Sequence, residues 1–260
     1  MGAPELVLPF LEGKASVSEA SPASKSLFSV SPAWVPWLLI LLFMPFAQAA
    51  GLPLAALLTW IILVQAALVT TLLLPAWGTR RTLGTFLAVS LIAYVSEVIG
   101  VSTGLPFGRY SYTPVLPAHL LGVPLLIPLA WWMTLPAAWG VASAMGAAAV
   151  SWRFVLVSAL AMTAWDLFLD PQMVAWGVWH WQDNGAYLGI PLSNFIGWSL
   201  VAAFMTTITR PIGLPYPPFR LLYTALWAMN TFAFLVFWHW PAAALAGFLG
   251  MGYFVWRSWR

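Results

Sequence analysis

The sequence predicts an all-α fold: a polytopic bundle of about eight transmembrane helices, with seven as the alternative. Of its 260 residues, 62% are hydrophobic and only 7% are charged, whereas an ordinary soluble domain carries about 25% charged residues. So few charges cannot cover a water-facing surface, and most of the chain must therefore face lipid or other helices. The apolar stretches are continuous and show no in/out alternation, which argues against a membrane β-barrel.

The domain organisation follows from where the polar residues lie. Residues 1–31 are polar, carry charges of both signs and contain no apolar core of signal-peptide length. We predict that they form a mobile N-terminal tail rather than a cleaved signal. Residues 32–260 are predicted to form a single transmembrane helical domain.

Eight apolar stretches can be assigned to spans in chain order. They are 33–49, 53–75, 83–102, 120–141, 153–170, 189–209 and two shorter stretches within 221–256. The last two are expected to be separated at His239–Pro241. The fourth is the least regular, because Pro124, Pro128 and Pro136 lie inside it, and it is expected to be kinked or partly re-entrant.

The distribution of basic residues predicts the orientation. With eight spans and a cytoplasmic N-terminus, nine of the ten Lys and Arg residues fall on the cytoplasmic side, and Arg109 falls outside. Cytoplasmic segments of membrane proteins are enriched in Lys and Arg. Seven spans would place Arg257 and Arg260 outside. Both termini are therefore predicted to be cytoplasmic, in a multi-pass protein of the cell's inner (cytoplasmic) membrane.

The composition excludes several kinds of chemistry. The chain has no cysteine, which excludes disulfides, thiolate metal sites and a cysteine nucleophile. Its lysines, Lys14 and Lys25, lie outside every predicted span, so a retinal Schiff base is excluded. No basic cluster indicates nucleic-acid binding, and there is no phosphate-binding loop or dinucleotide fingerprint. The expected ligand is a lipid-soluble molecule from the bilayer, with no nucleotide or redox cofactor.

Three carboxyl groups inside predicted spans are the strongest functional candidates. Glu97 lies late in the third span, and Asp166 and Asp170 lie late in the fifth. Ionisable side chains inside a bilayer are costly and by default mark a functional site. Asp166 and Asp170 share one helix face, and Pro171 predicts that the helix ends at or just before Asp170. All three are expected in the outer half of the membrane, where a carboxylic acid is a suitable general acid.

The same residues allow structural readings. The carboxyl groups could be paired with Arg109 or with a helix end, and Arg109 could equally be a loop cation at the lipid headgroups. A metal site would need a ligand spacing such as HExxH, which the chain lacks, so no metal is predicted.

Tryptophan is unusually frequent, with 18 residues. Four of them cluster near the outer end of the fifth span, namely Trp165, Trp176, Trp179 and Trp181. Most tryptophans are explained by an aromatic belt at the membrane interface and by ordinary packing. His180 and His239, which are each flanked by Trp, are expected to belong to the same belt. The functional alternative for the cluster is a pocket whose rings attract a cation or stack on a flat conjugated chain.

Three stretches in the middle of the chain carry long and specific motifs. They read GLPFGRYSYTPVLPAHLLGVPLLIPLAWWM (104–133), MTAWDLFLDPQMVAWGVWHW (162–181) and GAYLGIPLSNFIGW (185–198). They resemble the membrane-integral carotenoid hydratase family, which includes bisanhydrobacterioruberin hydratases and bacterial hydratases of lycopene-type ends. The resemblance covers about 95–200, and the first two spans and the tail carry no recognisable match.

The resemblance implies a reaction and its partners. Members of the family add water across the terminal C1=C2 double bond of an acyclic ψ-end, which gives a tertiary alcohol at C1 without an organic cofactor. The implied substrates are lycopene, γ-carotene or similar carotenoids. Carotenoid biosynthesis also allows contact with other enzymes of that pathway.

The chemistry of this reaction assigns roles to the polar residues. A proton must be added at C2, a tertiary cation develops at C1, and water captures it. We expect the Asp166–Asp170 pair to supply the acid and hold the water, while Trp165 and nearby rings stabilise the cation. Glu97 is the third predicted catalytic residue and helps to order the water. The predicted substrate-binding residues are Arg109, Tyr110, Tyr112, Trp165, Trp181 and Asn194.

Three other functions remain as alternatives. A prenyltransferase-like enzyme would use Asp-bound Mg²⁺ and a diphosphate, and it would need more clustered aspartates than the one DxxxD present. A lipid or proton-coupled transporter would use the carboxyl groups as a relay, although no inverted repeat of broken spans is found. A carotenoid-binding protein would hold the pigment without turnover.

Overall fold

The computed structural model of the protein describes residues 31–260. The predicted tail at 1–31 lies outside the described residues, apart from Ser31. In the described range the helices are α1 (Trp34–Ala49), α2 (Leu54–Thr103), α3 (Ile127–Ala144), α4 (Trp152–Ala175), α5 (Leu192–Thr209), α6 (Tyr216–Val236) and α7 (Pro241–Ser258). The strands are β1 (Tyr110–Tyr112), β2 (His119–Leu120), β3 (Val123–Pro124) and β4 (Trp179–Trp181). β1 pairs with β4 and β2 with β3, both antiparallel.

The predicted class, a multi-pass helical membrane protein, is confirmed. Among the described helices, α2, α4, α5 and α6 have the length and hydropathy to cross a membrane, and α1 is a shorter apolar helix. The predicted stretches 33–49 and 189–209 correspond to α1 and α5, and the break at His239–Pro241 separates α6 from α7. The number of eight crossings stays a prediction.

The second and third predicted spans, 53–75 and 83–102, are the two halves of α2. The helix bends at Gly78, whose φ of 68° and ψ of 168° lie outside the helical region. Glycine reaches positive φ without a Cβ clash, and nearby Pro75 removes a backbone donor. The two halves are therefore distinct segments joined by a bend rather than by a loop.

The fourth predicted span, 120–141, begins later than predicted. Residues 119–124 form the β2–β3 hairpin, whose turn residues Leu121 and Gly122 both have positive φ. α3 then starts at Ile127, and most of its side chains are buried against α2, α4 and α6. The prediction was wrong at this boundary because hydropathy alone does not separate an apolar hairpin from the start of a buried helix.

The fifth predicted span, 153–170, ends too early. α4 continues past Pro171 for another turn. A proline inside a helix leaves the carbonyl four residues earlier without its N–H partner. Here that carbonyl belongs to Leu167, and it accepts a 2.7 Å hydrogen bond from the hydroxyl of Tyr187. The predicted stop at Asp170 was wrong because a side chain from the following loop satisfies the freed carbonyl.

Buried tryptophans bond the helices to one another through their indole N–H groups. Trp132 of α3 donates a 3.0 Å hydrogen bond to Oγ1 of Thr70 in α2. Trp37 of α1 donates at 2.9 Å to Oε1 of Gln65, also in α2. A buried donor without a partner costs about 1–3 kcal/mol, so these pairs fix how each helix is rotated toward its neighbour.

Candidate active site

The β1–β4 ribbon places four aromatic side chains on one face. Tyr110 pairs with Trp181 and Tyr112 pairs with Trp179 in the antiparallel register. Successive side chains of a strand alternate between two faces, so these four rings point the same way. The Tyr110 and Trp181 ring centroids lie 5.2 Å apart, and those of Tyr112 and Trp179 lie 5.9 Å apart.

Glu97 of α2 is buried beneath the tyrosines of β1. Its Oε2 accepts hydrogen bonds from the hydroxyls of Tyr110 at 2.5 Å and Tyr112 at 2.8 Å. Its Oε1 accepts a 3.2 Å bond from the indole N–H of Trp131 in α3. Only 4% of Glu97 is exposed. Three protein donors therefore hold this carboxyl group in one orientation, as expected for a buried polar group.

The two tyrosine hydroxyls keep their protons at neutral pH. Burial raises the pKa of Tyr110, and the neighbouring Glu97 raises it further. Burial and the same carboxylate raise the pKa of Tyr112 well above its ordinary value. Both groups are therefore available as hydrogen-bond donors to Glu97.

Asp170 is held by the tryptophans of β4 in a matching way. Its Oδ1 accepts hydrogen bonds from the indole N–H groups of Trp179 at 2.7 Å and Trp181 at 3.0 Å. Its Oδ2 accepts a 2.6 Å bond from Nδ2 of Asn194 in α5. One strand of the ribbon thus bonds to Glu97, and the other bonds to Asp170.

Asn194 joins Asp170 to Asp166. The same Nδ2 atom donates a 2.7 Å hydrogen bond to Oδ2 of Asp166, so one amide group bridges two carboxyl groups on the same helix face. Asp166 is completely buried, and its Oδ1 bonds to no protein group within 31–260. The structure therefore brings together four of the predicted site residues, Asp166, Asp170, Trp181 and Asn194, in a second polar cluster.

A cavity of about 600 Å³ lies between α1, α2, α3, α4 and α6, next to the ribbon, and one residue of α5 also lines it. Among the predicted site residues, Glu97, Tyr112 and Trp165 line it, and Trp179 joins them. Most of the remaining lining is aliphatic or aromatic. The Glu97–Tyr112 hydrogen bond therefore lies in the wall of a largely apolar chamber.

The other predicted residues of the two clusters do not line the cavity. They are Tyr110, Asp166, Asp170, Trp181 and Asn194. Trp179 connects the two regions, because its ring lines the cavity while its N–H group bonds to Asp170. Glu97 therefore reaches the cavity directly, whereas Asp170 reaches it through a tryptophan.

Several residues of the cavity were not predicted from the sequence. Trp131 and Trp198 both line it and stack with ring centroids 4.3 Å apart at an interplanar angle of 19°. Gln65 and Gln172 add two amides to the wall. The available signal was a polar amide or a tryptophan inside an apolar stretch, which does not distinguish a cavity wall from ordinary helix packing.

Arg109 lies away from the cavity. Its guanidinium donates to Asp183 from Nε at 3.0 Å and from Nη2 at 2.5 Å, and both side chains are exposed. The Arg109 guanidinium lowers the pKa of Asp183 below its ordinary value. Arg109 therefore does not pair with the buried acids, and the structure does not bring it to the other predicted substrate-binding residues that line the cavity.

The fold and the site define a class: a multi-pass helical membrane protein with buried carboxyl groups beside an aromatic-lined apolar cavity. The profile of the carotenoid biosynthesis protein family matches residues 56–253, and the chain belongs to that family. The predicted resemblance to the membrane carotenoid hydratases is thereby confirmed.

A curated relative agrees with this assignment. The chain is 37% identical over 124 residues to bisanhydrobacterioruberin hydratase of Haloarcula japonica, and the match covers 46% of this chain and 42% of the relative. The chain thus spans less than half the length of that relative. No solved structure matches the chain.

Proposed function

We propose that the protein is a carotenoid hydratase. The observation that carries this proposal is the largely apolar cavity, in whose wall the Glu97 carboxyl group and the Tyr112 hydroxyl are hydrogen-bonded to each other. Such a cavity suits a long apolar molecule that reacts at one end with a proton donor. Membership in the carotenoid biosynthesis family and the activity named for the Haloarcula japonica relative support the same chemistry.

The proposed reaction adds water across the terminal C1=C2 double bond of an acyclic ψ-end carotenoid such as lycopene or γ-carotene. The reactive form of Glu97 is the protonated carboxyl group, which gives its proton to C2, where the π electrons form the new C–H bond, and a tertiary cation develops at C1. A water molecule bonds to C1 through its oxygen and loses a proton to the Glu97 carboxylate, which restores the acid. The balance is one water added to one double bond, with no redox change and no organic cofactor.

The rings around the cavity have a defined part in this mechanism. Aromatic faces stabilise a nearby cation through their quadrupoles, and the stacked Trp131–Trp198 pair and Trp165 surround the chamber. Tyr112 holds the Glu97 carboxyl in place and offers its oxygen to the incoming water. Glu97 and Tyr112 thus supply the proton transfer, and the tryptophans supply electrostatic stabilisation.

Asp166 and Asp170 are proposed to act indirectly, by holding a residue that lines the cavity. Asp170 anchors Trp179, whose ring lines the cavity, and Asn194 links Asp170 to Asp166. We prefer Glu97 as the proton donor because its side chain lines the cavity. The assignment of the acid to the Asp166–Asp170 pair stays a prediction, and variants at the three carboxyl groups separate it from the Glu97 assignment.

The proposed setting is the cytoplasmic membrane, with eight crossings, both termini in the cytoplasm and 32–260 acting as one domain. Nine of the ten basic residues then lie on the cytoplasmic side, in line with the usual bias of Lys and Arg. The ribbon and the cavity then lie toward the outer half of the membrane. A C-terminal reporter that is active only on the outer side would contradict this topology.

The function is tested by producing the protein in a lycopene-making host and measuring the mass of the extracted pigment. A gain of one water, or of two when both ends react, is the expected result, and the same host without the protein serves as the control. Export of chemically unchanged pigment by the protein would favour a transporter. Pigment held in the purified protein without change would favour a binding protein, and activity lost on metal chelation would favour the prenyltransferase-like alternative.

A further inference from the structure

Part of the cavity wall is also the outer surface of the bundle. Leu42 and Phe46 of α1 line the cavity and are 58% and 61% exposed. Phe232 of α6 and Phe237, which follows it, line the cavity from the opposite side and are 57% and 37% exposed. At these four residues a single layer of side chains separates the chamber from the surrounding lipid. We call this boundary the α1–α6 seam.

Few interactions close the seam. The rings of Phe46 and Phe237 meet edge to face with centroids 5.6 Å apart. The indole N–H of Trp238 donates a 3.3 Å hydrogen bond to Oε1 of Gln48, which is slightly longer than the usual range for such a bond. By contrast, α1 packs along α2 and is tied to it by the buried Trp37–Gln65 bond. α1 is therefore firmly attached to α2, whereas few interactions hold it on the side that faces α6.

The backbone of α1 is also suited to a small outward movement. Pro45 lies inside the helix and removes one of its internal hydrogen bonds. Gly51, in the turn to α2, has a φ of 79°, and no atom lies within 4 Å of where a Cβ would stand. A bend at Pro45 and rotation at Gly51 would part Phe46 from Phe237 without breaking the contact of α1 with α2.

We propose that the α1–α6 seam is a lateral portal through which a long apolar polyene passes from the bilayer into the cavity. This inference rests on the proposed function, because it names the route and the bound position of that substrate. The reacting end lies against Glu97 and Tyr112, and the rest of the chain runs between Phe46 and Phe237 into the lipid. A lipid-soluble chain that enters sideways never loses its apolar surroundings, whereas a route past the polar ribbon would expose it to water.

This arrangement predicts where selectivity lies. The chamber encloses the reacting end group, so its shape discriminates between end groups. The seam contacts the conjugated chain through exposed phenylalanines and leaves the remote end in the bilayer. The identity of the remote end should therefore have little effect on hydration of the enclosed end.

The absence of natural cysteines allows a direct test by locking the seam. The double variant Phe46→Cys/Phe237→Cys is treated with a short bifunctional thiosulfonate that links the two thiols and is removed by reducing agent. The linked protein should lose hydration of a carotenoid in membranes, and reduction should restore it. A matched control links Trp227→Cys/Phe248→Cys, whose native rings lie 5.2 Å apart between α6 and α7, and it should keep its activity.

The outcomes separate the portal from the function. Wild-type protein that does not hydrate a carotenoid overturns the proposed function. Wild-type protein that hydrates, together with a locked seam that hydrates equally well, overturns the portal alone. If the double variant folds poorly, Phe46→Trp replaces it, because a larger ring on the exposed side narrows the seam without entering the core. This variant should raise KM and leave kcat unchanged, and an unchanged KM overturns the portal.

Discussion

The hydroxyl of Tyr112 donates a 2.8 Å hydrogen bond to Oε2 of Glu97, and both side chains line the same cavity. Tyr112 comes from a three-residue strand and Glu97 from the second half of a long bent helix. Their contact therefore depends on the ribbon being docked onto α2. It also means that a proton donor and a second polar group meet in one small part of an otherwise largely apolar wall.

Glu97→Gln should reduce hydration by at least ~100-fold, the lower end for general acid–base catalysis. The amide keeps the volume and its oxygen can still accept hydrogen bonds from the tyrosines, but its NH₂ group then faces the indole N–H of Trp131, and it cannot deliver a proton. The measurement is hydrated product per amount of membrane-inserted protein. Asp183→Asn, at an exposed carboxyl away from the cavity, is the control and should stay active. Wild-type turnover by Glu97→Gln would exclude Glu97 as the donor.

The two aspartates should respond differently from Glu97 and from each other. Asp170 accepts hydrogen bonds from three donors, so Asp170→Asn sets an amide N–H against one of them and should destabilise the fold by about 1–3 kcal/mol. Asp166 accepts one such bond, so Asp166→Asn should cost less. The melting temperatures of the purified variants measure the difference. If the pair is instead the acid, both variants lose at least ~100-fold in hydration per amount of folded protein, whatever their melting temperatures.

Tyr187→Phe should destabilise the end of α4. It removes the hydroxyl that donates to the Leu167 carbonyl, and an unsatisfied buried acceptor costs about 1–3 kcal/mol. The effect should appear as a lower melting temperature and as faster hydrogen exchange near Asp170. Tyr253→Phe, at an exposed tyrosine of α7, removes the same atom and should change neither. Equal behaviour of the two variants would contradict this account of how α4 passes through Pro171.

The helical periodicity of the chain was enough to predict some of the site. Asp166 and Asp170 share a face because four residues make about one turn, and the structure joins them through Asn194. The break between the second and third predicted spans was also visible, since the charged pair Arg80 and Arg81 interrupts the apolar stretch. These features depend on local sequence, so local rules find them.

The features that were missed depend on contacts between distant parts of the chain. Tyr110 and Tyr112 pair with strand β4, which lies about 70 residues later, and nothing in three-residue strands indicates their partner. The Leu167–Tyr187 hydrogen bond is a similar case. It allows α4 to continue through Pro171, whereas a proline in the sequence usually predicts the end of a helix. The position of Glu97 in the cavity wall, with the aspartates behind it, follows from how α2, α3 and α4 pack, which hydropathy does not encode.

The Arg109–Asp183 pair should show a defined pH dependence. Arg109 lowers the pKa of Asp183 in the folded protein, so the pair contributes its stability above the ordinary Asp value of 3.8 and loses it as the pH falls through the lower folded value. A double-mutant cycle with Arg109→Gln and Asp183→Asn should give a small coupling at neutral pH, because exposed pairs are weak and screened by salt. The coupling should fade in acid, and one that grows in acid would contradict the assignment.

Gly197→Ala should disturb the site from a distance. A Cβ at Gly197 in α5 would stand 2.6 Å from Cδ1 of Phe107 and 3.0 Å from the carbonyl of Pro106, in the loop that leads into β1. Overpacking of this kind costs about 1–3 kcal/mol, and it should shift Tyr110 relative to Glu97, so both the melting temperature and hydration should fall. Gly84→Ala in α2 is the matched control, because no atom lies within 4 Å of its added Cβ and alanine favours a helix. That variant should keep full activity and an equal or higher melting temperature, and a matching loss in both variants would show that the close approach of α5 to the loop is not what holds β1 in place.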